Sequence, residues 1–267
     1  MSQSSYWLKQ TDKPLFPDLL WSRPENKMHA GKLLIVGGHA HGFSAPAEAY
    51  SEAEKAGIGT TRVVLPDHIR AQLRAFQSVM LHMEFAPSTP SGSFASRALA
   101  ELLDASHWAD GVLLAGDLGR NSETAIVLEK FATKTTMPLV LTKDAIDYFT
   151  SSPQTLFDRG NTCAVLTLAQ LQKLATNAKF QTPITFGMDL VHLVEAFHKF
   201  TAEMPLHIVT KHHDSIFVAC NGMVSTTKTN LDIEDRWRVA TATRASVWWL
   251  QNPSKPFEAL TTATFSS

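Results

Sequence analysis

Cysteine is nearly absent from this chain: Cys163 and Cys220 are the only two in 267 residues. They stand far apart, fit no metal-ligand spacing and sit in apolar, strand-like runs, so both read as buried free thiols. An excess of charge of one sign is also lacking. Lys and Arg number 24 against 25 Asp and Glu, a formal net charge of −1. That balance gives no reason to expect nucleic acid or an anionic membrane as partner. Long hydrophobic runs are missing too. None approaches the ~18 apolar residues that cross a bilayer, and the opening MSQSSYWLKQTDKP has no signal-peptide core. A soluble, cytoplasmic protein is expected. There is no Gly-x-Ser-x-Gly elbow and no Walker-type loop. His39 and His41 lie two apart, and His212 and His213 are adjacent; neither arrangement is a zinc pattern, and no metal site is expected.

What is present is a substantial apolar content, 44%, arranged in a repeating order. A buried run at 33–37 ends on Gly37-Gly38. An alanine-rich helix at 45–56 closes on Gly57-Ile58-Gly59, and a second apolar run fills 60–65. This is a βαβ unit whose glycines fall at the strand-to-helix turn, where backbone N–H groups can meet an anionic ligand. Further strands are predicted at 78–85, 111–116, 138–142 and 162–167, with helices at 98–103, 122–134, 168–175 and 188–203. Short strands at 206–210, 215–220 and 223–228 follow, joined by turns at His212-His213-Asp214 and Asn221-Gly222. The last long helix is placed at 235–250.

This alternation predicts a three-layer α/β/α fold with a mostly parallel central sheet of about eight or more strands. The strands at 33–37, 111–115 and 138–142 should be neighbours, and a hairpin near the C-terminal edge should add antiparallel pairing. One domain over 27–267 is expected, preceded by an apolar, proline-containing arm at 1–26. Trp237, Trp248 and Trp249 on the last helix read as core or as an oligomer contact.

In an open α/β sheet, ligands collect at the carboxyl ends of the strands. The candidate residues after those ends are Gly37, Gly38, Ser44, Ala45, Gly119, Asp144 and Lys211, with Asp232, Glu234 and Asp235 before the last helix. Each also has an ordinary role. The paired glycines could serve close packing, Asp144 could cap a short helix, Lys211 could be a surface charge, and Asp232 and Glu234 could complement a helix dipole.

The order of these residues resembles the NAD(P)H-hydrate dehydratase family, which has the ribokinase-like fold, over residues 27 to 262. Lys27 and Gly31 match the family's opening Lys-Gly-x-x-Gly turn, with Met28 in place of its first glycine. Gly37-Gly38 match its Gly-Gly, and Ser44-Ala45 stand for its Gly-Ala. Ala115 to Gly119, followed by Arg120, stand for its Gly-Pro-Gly-Leu-Gly and arginine. Thr142 to Ile146 replace its Asp-Ala-Asp-Ala-Leu, Thr167-Leu168-Ala169 its Thr-Pro-His, and Lys211-His212 its Lys-Gly.

The family's Gly-Thr-Gly-Asp, an anion hole followed by the catalytic aspartate, becomes Asp232-Ile233-Glu234-Asp235. The resemblance implies Asp235 as the catalytic acid/base. It implies Lys27, Gly37, Gly38, Ser44, Ala45, Gly119, Asp144 and Lys211 as ligand-binding residues. It further implies ADP or ATP with Mg2+, hydrated NADH or NADPH as substrate, and a homo-oligomer. Carboxylates in place of the two glycines would repel phosphate. Two readings therefore stand side by side. One is a divergent, nucleotide-driven dehydratase. The other is a catalytically degenerate relative that keeps the fold and binds a nucleotide-like ligand. A further small-molecule kinase of the ribokinase superfamily is a third.

Overall fold

The structure, a computed structural model, describes residues 5–73, 82–229 and 236–265. Its strands are β1 (Trp7–Gln10), β2 (Lys32–Gly37), β3 (Thr60–Pro66), β4 (Met83–Ala86), β5 (Gly111–Gly116), β6 (Leu139–Thr142), β7 (Thr162–Thr167), β8 (His207–His212), β9 (Ser215–Cys220) and β10 (Met223–Lys228). The helices are α1 (Pro17–Trp21), α2 (Ser44–Lys55), α3 (Arg70–Leu73), α4 (Leu99–Trp108), α5 (Ser122–Lys134), α6 (Asp144–Asp147), α7 (Gln154–Phe157), α8 (Leu168–Asn177), α9 (Leu190–Glu203), α10 (Arg236–Gln251) and α11 (Pro256–Phe265).

The strands form one ten-stranded sheet in the order β1-β10-β9-β8-β7-β6-β5-β2-β3-β4. Only β9 runs against its neighbours; the remaining pairings are parallel. β2, β5 and β6 are adjacent, as the sequence predicts. Their near-continuous apolar runs reflect burial on both faces. Leu33 and Ile35 of β2 pack toward α2, α10 and α11, while Leu34 and Val36 pack toward α4, α5, α8 and α9. The period-two alternation of strand side chains divides the core this way. The fold is the expected three-layer α/β/α arrangement with an antiparallel hairpin toward one edge.

Three local features differ from the sequence reading. Residues 7–10, expected within an extended arm, form the edge strand β1, which pairs in parallel with β10. Gln10 Nε2 donates to Thr227 Oγ1 at 3.1 Å and to the Thr261 carbonyl at 3.1 Å. Without β1, the ladder groups of β10 would be an open edge. The strand expected at 78–85 is described from Met83 to Ala86, and residues 78–81 lie outside the described residues. A final helix, α11, follows α10; its threonines are buried, and two of them bond to β10, Ser225 Oγ to Thr261 Oγ1 at 2.7 Å and Thr227 Oγ1 to Thr264 Oγ1 at 2.9 Å.

The hairpin between β9 and β10 turns on Asn221 and Gly222, both with positive φ (48° and 80°), the conformation that favours Asn-Gly. Trp237, Trp248 and Trp249 are core, at most 6% exposed. Among the described residues, no helix is long and apolar enough to cross a membrane.

Candidate functional site

The strand order reverses between β2 and β5. From β2 the chain steps outward to β3 and β4, and from β5 it steps the other way through β6, β7 and β8. The carboxyl ends of β2 and β5 therefore flank a topological switch point, the usual place for a ligand crevice in such sheets. Gly37 ends β2 and Gly116 ends β5. They lie so close that a Cβ on Gly37 would stand 2.5 Å from the Gly116 carbonyl oxygen. That same oxygen accepts a hydrogen bond from the Gly38 N–H at 3.1 Å.

The turn after β5 runs through positive φ at Gly116 (98°) and Asp117 (56°). Asp is one of the few side-chain-bearing residues that enters this region readily. The turn throws the Asp117 carboxylate back onto the start of α2. Its Oδ2 accepts from the Ala45 N–H at 2.7 Å and the Ser44 hydroxyl at 2.9 Å. Its Oδ1 accepts from Lys143 Nζ at 2.7 Å. Helix α2 has no cap from its own N-cap residue, Phe43, so Asp117 serves that end from across the switch point. Burial works to raise the Asp117 pKa, but Lys143, the Ala45 N–H and the Ser44 hydroxyl outweigh it and hold the group below the ordinary carboxylate value.

Asp144 engages the same loop. Its Oδ2 accepts from the Leu118 N–H at 2.8 Å and the Gly119 N–H at 3.2 Å. Its Oδ1 is buried with no hydrogen-bond partner. Burial, then the charge on Asp117, push its carboxyl above the ordinary value, against the hydrogen bond from the Leu118 N–H. The ordinary reading, that Asp144 caps its own helix α6, does not hold: the carboxylate reaches back to the β5 turn. Tyr148 completes the wall by donating its hydroxyl to the Gly119 carbonyl.

A cavity of about 470 Å³ opens at the carboxyl ends of β7 and β8, lined by Thr167, Phe186, Lys211, His212, Trp237 and Arg238 among others. The rings of His212 and His213 lie 4.0 Å apart. Burial, then the neighbouring His213, lower the His212 pKa, which keeps the ring neutral near pH 7. Three strand spacings separate β5 from β8, about 14 Å at ~4.8 Å each, so this cavity and the switch point lie along one edge of the sheet.

The sequence candidates distribute as follows. Gly37, Gly38, Ser44, Ala45, Gly119 and Asp144 converge at the switch point. Lys211 lies at the β7–β8 cavity on the same edge. Lys27 does not join them. It precedes β2 at the opposite end of the sheet, in a short turn, and pairs with Glu54 at 3.3 Å near the end of α2. Matching it by motif took no account of which end of the strand it occupies. Asp235, together with Asp232 and Glu234, lies outside the described residues. The sequence reading missed Asp117 and Lys143. Their signal was the aspartate standing where the dehydratase pattern has its middle glycine, between Gly116 and Gly119. Among the described residues, no cluster of three His, Cys, Asp or Glu side chains is placed to hold a metal ion.

The chain matches no protein-family model and no curated protein. Solved structures show that the fold is ribokinase-like. A ribokinase-like superfamily protein from Enterococcus faecalis V583 superposes with a TM-score of 0.73 at 16% identity, covering 98% of this chain and 86% of its own. A hypothetical protein from Streptococcus mutans gives 0.70 at 16% identity, covering 97% and 88%. The ADP/ATP-dependent NAD(P)H-hydrate dehydratase of Bacillus subtilis, co-crystallised with ATP/Mg2+, gives 0.61 at 14% identity, covering 96% and 87%. At these identities the likeness is one of fold.

Proposed function

We propose that this chain is a degenerate relative of the ADP- or ATP-dependent NAD(P)H-hydrate dehydratases: it holds a nucleotide-like ligand at the carboxyl edge of its sheet and does not transfer phosphoryl groups at an enzymatic rate. One observation supports this above the others. The backbone amides that could cradle phosphate at the switch point are already taken by the chain's own carboxylates, Asp117 on Ala45 and Asp144 on Leu118 and Gly119. The residues before α10 point the same way, since Asp232 and Glu234 replace the glycines of the family's anion hole. Phosphoryl transfer depends almost wholly on positioning and on stabilising the moving charge, and both supports are weakened here.

The nucleotide-like ligand is assigned to the β7–β8 cavity. Its volume lies within the range of small-molecule sites. Phe186 and His212 offer faces for a base to stack on, and Lys211 and Arg238 place positive charge on its wall. ADP titrated calorimetrically should bind only weakly, because the carboxylates of Asp232 and Glu234 precede the helix that carries Arg238, and Lys211→Met should weaken it by about a further tenfold, the worth of one charge-assisted contact. Hydrated NADH supplied with ADP or ATP should not turn over above its uncatalysed rate. Saturable turnover that Asp235→Ala abolishes would favour the divergent-enzyme reading instead.

The same reading includes self-association. Trp21 and Met28 are each 87% exposed, on a segment pinned by Arg23, whose guanidinium lies 4.8 Å from the Trp248 ring and donates to the Ala56 carbonyl. Large apolar side chains held out from an anchored segment suit a contact with a second copy. Light scattering at tens of micromolar should report an oligomer that Trp21→Ser together with Met28→Ser dissociates; a monomeric parent protein contradicts it.

A further inference from the structure

We infer that Asp117 is a specificity-determining residue: it fills the switch-point crevice as a permanent internal anion, so that the crevice rejects phosphate and carboxylate groups and accepts uncharged or cationic ones. This goes beyond the function proposed above, which assigns its ligand to the β7–β8 cavity, and stands independently of that assignment. Three donors of different kinds converge on the carboxylate: a helix-start N–H, a hydroxyl and an ammonium. An external anion would need the same three.

Exclusion follows from a second observation, on the adjoining cavity between α2 and α10. That cavity, about 670 Å³, is lined by Ser44, Glu48, Glu52, Lys55 and Lys143 with Val239 of α10. Both lysines that line it are already matched to a carboxylate of the chain, Lys143 to Asp117 at 2.7 Å and Lys55 to Glu52 at 2.7 Å. Glu52 also faces Arg244 at 4.0 Å. An incoming anion would have to displace one of these carboxylates and then sit beside it. Like charges at contact distance in a partly buried site oppose binding strongly. The backbone holds the arrangement ready-made. Gly116 is confined by Lys143 and Asp144, 2.7 and 2.8 Å from where its Cβ would be, so the turn that aims Asp117 has little room to move.

The test uses inorganic phosphate as probe on the full chain, read by thermal unfolding and by 31P NMR line width. The wild type should show no saturable response into the tens of millimolar. Asp117→Ala should bind phosphate at least tenfold more tightly than the wild type. Asp117→Asn, which keeps the size and hydrogen-bonding reach but removes the charge, should move in the same direction and decides the matter if the alanine variant does not fold. Adding Lys143→Met should cancel the gain. A folded Asp117→Asn with wild-type phosphate affinity overturns the inference, and so does a gain that survives loss of Lys143. ADP titrated in parallel separates the two proposals. A wild type that binds no ADP overturns the assignment of the Lys211 cavity, while a phosphate gain in the Asp117 variants still upholds the role of Asp117.

Discussion

Acid should weaken this fold by about 3 kcal/mol between pH 6.5 and pH 4 through one side chain, His207. The imidazole lies on β8, 4% exposed, with its edge toward Trp249 at a centroid distance of 5.3 Å. Its strand partner in β7 is Cys163, a thiol that burial keeps protonated, so no anion is at hand to support an imidazolium. The Nδ1 atom has no hydrogen-bond partner. Burial lowers its pKa from 6.5 to about 4.

The folded pKa is below the unfolded one, so the folded state binds the proton less readily. Above pH 6.5 both states are neutral and the full stability is present. As pH falls from 6.5 toward 4 the unfolded chain takes up a proton first, and stability declines; below about 4 both states are charged and the decline stops. A difference of about 2.5 pKa units is worth about 3 kcal/mol. Urea unfolding across this range should show the slope in the wild type and a much flatter one in His207→Gln. Asp144, with its raised pKa, tilts stability the opposite way, so the difference between the two proteins isolates the histidine. Parallel slopes in the two would show that His207 is not the group responsible.

Gly37→Ala should cost about 3 kcal/mol, at the upper end of what overpacking a close contact does. Its new Cβ would lie 2.5 Å from the Gly116 carbonyl oxygen, a backbone atom, and 3.4 Å from Pro46 Cδ. The carbonyl has to rotate or β2 and β5 have to part. Either breaks the Gly38 N–H···O bond and re-aims Asp117, the next residue along. Two readouts check this: a lower urea midpoint, and faster amide exchange at Ala45, whose N–H is held by Asp117. A stability within ~0.5 kcal/mol of the parent with Ala45 still protected would mean the two turns have slack.

The strands at the centre of the sheet were legible because burial on both faces leaves unbroken apolar runs, as in 33–37 and 111–116. β1 was not, because Trp-Leu-Lys-Gln carries no such run; its place comes from pairing with β10, more than 200 residues away in sequence. α11 has no place in the sequence reading for a related reason. Its threonines are poor helix formers, yet they are buried, and Thr261 and Thr264 bond to β10. Chain order brings Gly37, Gly38, Ser44, Ala45, Gly119 and Asp144 to the carboxyl ends of their strands, where the structure also has them. It did not show what their donors were doing. That depended on Asp117, whose positive φ and contact to a helix 72 residues earlier leave no periodic trace. Lys27 shows the converse, a motif match without regard to which end of β2 the residue occupies.

The central claim is that the fold and a nucleotide-like site persist while phosphoryl-driven dehydration does not. The most direct measurement is turnover of hydrated NADH by the full chain, with ADP or ATP and Mg2+, in the same sample whose ADP binding is measured by calorimetry. The expected result is saturable ADP binding with NADH recovered no faster than in buffer. Recovery at about 1 s⁻¹ or more, the ordinary range for enzymes, would contradict it.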